Sequence, residues 1–310
     1  MEPTISRRLF LISLFLSSCK AVTSIGKEQL TIGTLSYGKG EETLDRYDRL
    51  RRYLEESLRS RVQLEPAFNE NKALERIKSQ AWSLVFAPPG LAAIAMSEHQ
   101  YSPLLPLTGI NNLRSVLAVK KDSPYQDIQS LTGKKLAIGQ PGSATGYYFP
   151  IFNLYGLTLS ELILSATPQT ILENVATGKA DVGALSLQEF NTYKSQIQGT
   201  QLRLLLTDTH NVPTGVVMIS PTIERNLQEN ISQTLKDTPS AIAQEAGFIP
   251  TGNIPDYKYM ISVVKRVRAI FPADRVESSS LLAQKPVRLF RGLQGNNEPK
   301  SGGTEKEIKN

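Results

Sequence analysis

The feature that most constrains the fold is an alternation, repeated down most of the chain, between short apolar runs and longer stretches with helical periodicity. "LTIGTLS" (Leu30–Ser36) is compact and apolar enough for a buried strand. Glu41–Leu58 follows, with Leu44, Tyr47, Leu50, Leu54 and Leu58 at spacings of three and four, one apolar helical stripe among charged positions. Val62–Phe68 reads as a strand again and Lys72–Gln80 as a helix. "WSLVFAPPG" (Trp82–Gly90) reads as an apolar strand ending in a Pro-Pro-Gly loop, with a short helix over Leu91–Ser97. Strands alternating with helices argue for an α/β architecture, a mixed and mostly parallel sheet with helices on its faces.

A second unit of the same kind begins near Ser115. It contains "SVLAVKKDSP", the apolar run ending in "KKLAI", a Gly/Ser/Thr loop, a helix after Gly146 and another over Gln169–Lys179. A strand (Ala180–Leu185), a helix (Gln188–Lys194) and a strand (Leu202–Thr207) complete it. Beyond Ser220 the pattern is helical, over Thr222–Lys236, Ser240–Glu245 and Tyr257–Ile270, with no new strand expected. That suits a return to the first unit. The expected layout is lobe I from 30–114 and 213–290, and lobe II from 115–212. The connections fall near Asn112–Leu117 and Thr207–Val216. Two crossings make a hinge, and a ligand held between lobes would shift the open–closed balance. At 310 residues there is enough chain for two cores. Residues 291–310 are polar and aperiodic, a tail expected to be disordered.

The N-terminus "MEPTISRRLFLISLFLSSCK" joins a basic pair, Arg7 and Arg8, to the apolar block Leu9–Leu16 and to small residues. This is the layout of a secretory signal peptide over residues 1–18. The block is well short of the roughly 20 residues needed to span a bilayer. "LSSC" resembles the lipobox of bacterial lipoproteins, which implies cleavage before Cys19 and lipid attached to its sulfur, with 19–29 as the linker. Cys19 is the only cysteine, so an acylated chain has neither a free thiol nor a disulfide.

Several chemistries are excluded or disfavoured. A formal charge of +6, with basic and acidic residues interleaved, gives no nucleic-acid footprint. The two histidines, His99 and His210, stand in no metal-ligand spacing, so no metal site is expected. No G-x-S-x-G elbow occurs, and neither an enzyme nor a cofactor is expected.

What remains is "IGQPGSATGYYFP" (Ile138–Pro150). It is not a nucleotide-phosphate loop, because Gly146 is followed by Tyr147 rather than lysine. Gly142, Ser143, Ala144, Thr145, Gly146 and Tyr147 join a strand to a helix start, where unpaired N–H groups and the macrodipole suit an anion. Glycines allow close approach, and the hydroxyls of Ser143 and Thr145 can donate. A plain helix cap explains Ser143 equally well. Pro150 breaks a regular helix, so the helix can begin later than Thr145. Tyr37, after the first strand, and Pro88 with Pro89, after the third, stand where open α/β sheets bind ligands. Asp208 and Thr209 sit at the second crossing, as ligand contacts or as loop caps.

Taken together, "LTIGTLSYG", "YDRLRRYLEESL", "VKKDSP", "SLTGKKLAIGQPGSATGYYFPIFNLYGL", "VATGKADVGAL", "VPTGVVMIS" and "PDYKYM" resemble one family over roughly Leu30–Ile270. It is the phosphate/phosphite/phosphonate-binding (PhnD-like) substrate-binding proteins of ABC importers. The resemblance implies a two-lobed type II periplasmic-binding-protein fold and a small oxyanion ligand, passed to an ABC permease and ATPase by a monomeric extracytoplasmic lipoprotein. It carries Ser143 and Thr145 onto the family's oxyanion hydroxyls, and Gly146 and Tyr147 onto the residues that follow. Ala144 stands where the family has a third hydroxyl, and "ATPQT" and "FAPPGL" lack the family's histidine and aromatic residue. Those departures turn the expectation from an amino-alkyl phosphonate toward a compact oxyanion. Alternatives are a sulfonate or ring compound on the same fold, or a sensory or scaffold lipoprotein.

Overall fold

The computed structural model describes residues 29–36, 40–109, 113–271 and 286–290. Cys19, Tyr37, the signal and linker segments, the start of the first crossing and the 291–310 tail lie outside the described residues.

Lobe I is built on one five-stranded sheet. β1 (Gln29–Leu35) leads through α1 (Gly40–Leu58) to β2 (Arg61–Ala67), and α2 (Glu70–Lys78) leads to β3 (Leu84–Ala87). α3 (Pro89–Glu98) then returns the chain to β4 (Ser102–Pro106). The strand order is β2-β1-β3-β11-β4, where β11 (Val216–Ile219) comes from the chain beyond lobe II. On α1 the stripe is buried at Tyr47, Leu50 and Leu54, while Leu44 is 40% exposed. Each fully buried Leu contributes about 1.5–3 kcal/mol, enough to fix the helix on the sheet.

Lobe II is built on a second sheet, of order β10-β5-β9-β6-β8. Its elements are β5 (Ser115–Lys120), β6 (Lys135–Ile138), α4 (Phe149–Asn153), β7 (Thr158–Leu159), β8 (Glu161–Leu164), α5 (Pro168–Ala176), β9 (Val182–Ser186), α6 (Leu187–Tyr193) and β10 (Leu202–Thr207). Each five-stranded sheet is mixed: β1 is parallel to β2 and β3, and β6 to β8 and β9, while β11 and β5 are antiparallel to both their neighbours.

Several sequence expectations need correction. "VVMI" is not a prelude to helices but β11 (Val216–Ile219), a wholly buried strand between β3 and β4. Four consecutive apolar residues are ambiguous until the sheet supplies neighbours on both sides. α7 (Arg225–Lys236), α8 (Ser240–Ala246) and α9 (Lys258–Ile270) follow it. The Pro-Pro-Gly segment is not a loop: Pro88 is the N-cap of α3 and Pro89 its first residue, where a missing N–H costs nothing. Near the C-terminal end, β12 (Val287–Arg288) pairs with β7 (Thr158–Leu159), so this piece sits against lobe II rather than lobe I.

The lobes share a core. A single apolar cluster takes Val85 and Ala87 from β3, Leu117 from β5, Leu136 from β6, Leu91 from α3 and Val264 from α9. A separate cluster fills the opposite face of the lobe I sheet, under α1, α7 and α8.

Candidate functional site

The loop after β6 is organised by Pro150. In a regular helix residue 150 would donate to the Gly146 carbonyl, and proline has no N–H to do so. The freed Gly146 carbonyl accepts instead from Gly139 N at 2.9 Å. The first turn widens accordingly: Ala144–Tyr148 is π-helical, with Phe149 N donating to the Ala144 carbonyl. The helix therefore begins at Ala144, not after Gly146 or later than Thr145. Ser143 is its N-cap, and its Oγ accepts from Gly146 N at 3.1 Å. Its single hydroxyl proton stays able to donate. Ala144 N and Thr145 N are first-turn amides with no intrahelical acceptor. Thr145 is buried, and its carbonyl accepts from Ser115 Oγ at 2.7 Å.

This helix start meets lobe I face to face. A Cβ on Gly90, in the first turn of α3, would lie 1.9 Å from Gly142 O and 2.8 Å from Ala144 N. Gly142 itself has φ +117°, and a Cβ there would come within 2.7 Å of Glu70 Cβ. Both positions require glycine. The cavity beside the loop is about 20 Å³, bordered by Gly139, Gln140, Ser143, Gly146, Ser165 and Thr167. One water occupies about 10–15 Å³ on that measure, so an oxyanion enters only if the lobes separate.

The lining of this cavity runs against the sequence expectation. Glu70 (4% exposed) and Glu189 also border it, and no cationic side chain among the described residues does. Glu70 opens α2, where the helix dipole favours a carboxylate. Glu189 closes a capping box on α6: its Oε2 accepts from Ser186 N at 2.8 Å, and Ser186 Oγ accepts from Glu189 N. Ser165 Oγ accepts from Asn174 Nδ2, and Thr167 Oγ1 from Thr170 N. Gln140 Oε1 is buried and has no hydrogen-bond partner. The cavity is rich in acceptors, as a ligand's donor or cation would need.

The other expected residues scatter. Tyr147 is buried but lines a different cavity, of about 550 Å³, with Tyr148, Asn71, Lys78 and Arg268. Burial pushes both phenols above the usual tyrosine range. Asp208 lines neither cavity. Asn153 Nδ2 donates to its Oδ2 at 2.5 Å, His210 N to its Oδ1 at 2.8 Å, and the His210 ring approaches Oδ1 at 3.0 Å. Its geometry is that of a loop cap; Thr209 beside it is exposed. His210 stacks on Tyr259, centroids 4.4 Å apart. His99 ends α3, where burial lowers its pKa. No group of acidic, histidine or cysteine side chains fit to hold a metal occurs among the described residues.

Pro88 does face a cavity, of about 310 Å³, at the carboxyl ends of β1 and β3. It touches both crossings, through Gly109 and Leu113 on one and Thr214 and Gly215 on the other. Arg46 lies on its wall, with Thr34 and Tyr47 beside it. The sequence reading missed Glu70, Gln140, Glu189 and Arg46. Glu189 was legible as the fourth residue of Ser-Leu-Gln-Glu, a capping-box pattern. Glu70 follows β2 as Tyr37 follows β1, so the same strand-end rule reaches it. Arg46 carries no signal among the charges of α1.

Two mixed five-stranded sheets joined by two crossings define a two-lobed α/β fold, with a cavity at the seam between the lobes. Residues 32–251 match the family model described as "ABC transporter, phosphonate, periplasmic substrate-binding protein", and the chain belongs to that family. It is a solute-binding component of an ABC transporter, not an enzyme, and works outside the cytoplasm. Among solved structures, XAC2383 from Xanthomonas citri bound to chloride ion is similar at TM-score 0.65 and 18% identity, over 77% of this chain and 98% of that one. A binding protein component of an ABC phosphonate transporter (PA3383) from Pseudomonas aeruginosa is similar at TM-score 0.60 and 11% identity, over 81% and 88%. PhnD1 from Prochlorococcus marinus in complex with methylphosphonate is similar at 0.58 and 16%, over 78% and 99%. At these identities the likeness is one of fold. No helix among the described residues is long and apolar enough to cross a membrane.

Proposed function

We propose that this chain is a monomeric, lipid-anchored binding protein that captures a small phosphorus oxyanion between its lobes and hands it to an ABC permease and ATPase. The observation that carries the reading is the match to the phosphonate-binding family across both sheets, residues 32–251. Two structural neighbours, holding chloride and methylphosphonate, support an anion. In the proposal the Gly142–Gly146 loop forms the lobe II wall of the site. The anchor is lipid on Cys19, supported by the "LSSC" signature.

A second reading refines the ligand. Glu70 and Glu189, with the unpaired Gln140 acceptor, favour a phosphonate that also carries an ammonium group over a bare oxyanion. A thermal-shift panel of methylphosphonate, 2-aminoethylphosphonate, phosphite, phosphate and sulfate on the mature protein tests both. A ligand at 100 times its dissociation constant adds about 2.7 kcal/mol of stability. Stabilisation by 2-aminoethylphosphonate at lower concentration than methylphosphonate supports the second reading, and the reverse order supports the first. Silence from every phosphorus compound sinks both. Mass spectrometry of the mature N-terminal peptide checks the anchor: an unmodified thiol at Cys19 removes it.

A further inference from the structure

We propose that the cavity of about 550 Å³ lined by Tyr147 is a second ligand site, one that takes a small aromatic carboxylate. The inference goes beyond the oxyanion reading and leaves the Ser143 loop as the seat of that ligand. Both lobes build the cavity: Leu74 of α2 and Ile94 of α3 face it from lobe I, and Pro141, Tyr147, Tyr148 and Leu164 from lobe II. Glu70 and Gln140 border the small cavity, while their chain neighbours Asn71 and Pro141 border this one, so the two adjoin along one seam. The volume falls within the range of small-molecule sites, about 300–1,000 Å³. An occupant that touches both lobes favours the arrangement in which they meet.

Tyr147 is the residue that points to a ligand. It is 3% exposed, and its hydroxyl makes no hydrogen bond among the described residues, although the side chain lines the cavity. Its neighbour Tyr148, edge-on with ring centres 5.1 Å apart, is satisfied, because its hydroxyl meets the backbone of Gly142. A buried hydroxyl without a partner costs stability unless something supplies the acceptor. Burial holds the Tyr147 phenol above the usual tyrosine range, so it stays protonated and able to donate. The charges around the cavity select the acceptor. Glu75 is paired with Lys72 at 2.5 Å, and Glu98 with Arg268. Lys78, in the last turn of α2, lines the same wall and has no ion pair among the described residues. A cation and a phenol donor without partners suit a carboxylate. Leu74, Ile94 and Leu164, with the two tyrosine rings, suit an aromatic body.

The test is titration calorimetry of the mature protein with indole-3-acetate, benzoate and indole, on wild type, Tyr147→Phe, Lys78→Gln and Lys236→Gln. No phosphorus compound is present, so this proposal and the oxyanion reading stand or fall separately. Tyr147→Phe keeps the ring, and an unpartnered hydroxyl gives up no bond, so the melting temperature should match or exceed that of wild type. The expected result is binding of indole-3-acetate, weakened about fivefold by Tyr147→Phe and about threefold by Lys78→Gln. Lys236→Gln, an exposed position on α7, should change it by less than about twofold, and uncharged indole should bind more weakly than indole-3-acetate. The proposal is overturned by no binding of either carboxylate, by binding unchanged in Tyr147→Phe, or by indole binding as tightly as indole-3-acetate. A lowered melting temperature in Tyr147→Phe, the mark of a structural hydrogen bond, overturns it as well.

Discussion

The cavity beside the Ser143 loop and the cavity beside Pro88 differ in almost every respect that matters to a ligand. The one beside Ser143 is about 20 Å³, bordered by Glu70, Glu189 and an unpaired amide oxygen. The one beside Pro88 is about 310 Å³, carries Arg46 and has no carboxylate among the described residues of its wall. The first looks like an anion cradle in sequence and is acceptor-rich in space. The second has no sequence motif and carries the cation. A glycine-rich strand–helix junction defines where a backbone can turn, while the side chains that arrive from other elements decide what the place can bind.

The contrast can be broken most forcefully at the seam that closes the small cavity. Gly90→Ala puts a methyl into the Gly142 carbonyl, so α3 or the loop must shift. We expect a loss of about 1–3 kcal/mol in urea unfolding and a larger radius of gyration by small-angle scattering. Unchanged stability would mean the lobes do not depend on this contact.

Glu70→Gln separates the two chemistries next. It should weaken 2-aminoethylphosphonate about tenfold and leave methylphosphonate within about twofold, since only an ammonium uses the carboxylate's charge. Equal losses for both ligands would merge the cavities into one anion site. Ser143→Ala should act on both stability and ligand: losing an N-cap costs about 1 kcal/mol, and losing the loop's hydroxyl donor should weaken anion binding about tenfold. An affinity changed by less than about threefold would leave Ser143 a plain helix cap.

The smallest effect is on pH. Burial holds His99 below its ordinary pKa, so the unfolded chain binds a proton more readily than the folded one. Stability is full above about pH 6.5 and declines as pH falls through that unfolded value. His99→Gln should flatten the pH profile of the melting temperature below about pH 6.5, and an unchanged slope would remove His99 as its source.

Much of the fold was legible because its elements announce themselves locally. α1 has a full apolar stripe, and "LRLLLT" became β10 without a shift of boundary. β11 was not legible, since four buried residues acquire strand identity only from β3 and β4 on either side. The site was harder for the same reason. Ser143, Gly142 and Gly146 stand together in sequence, so their junction was found, and Pro150 correctly signalled an irregular helix. Yet Glu70 and Gln140 stand seventy residues apart, and Arg46 finds its partners at the carbonyl end of α8, about two hundred residues away. Charge partners drawn from distant elements leave no pattern in a single chain.

The most direct measurement is the position of the phosphorus atom in a crystal of the mature protein grown with methylphosphonate. The account places phosphonate oxygens within hydrogen-bond distance of the Ala144 and Thr145 amides and Ser143 Oγ, between the lobes. Phosphonate held in the cavity bounded by Pro88, Thr108 and Gly215, away from that loop, would contradict it.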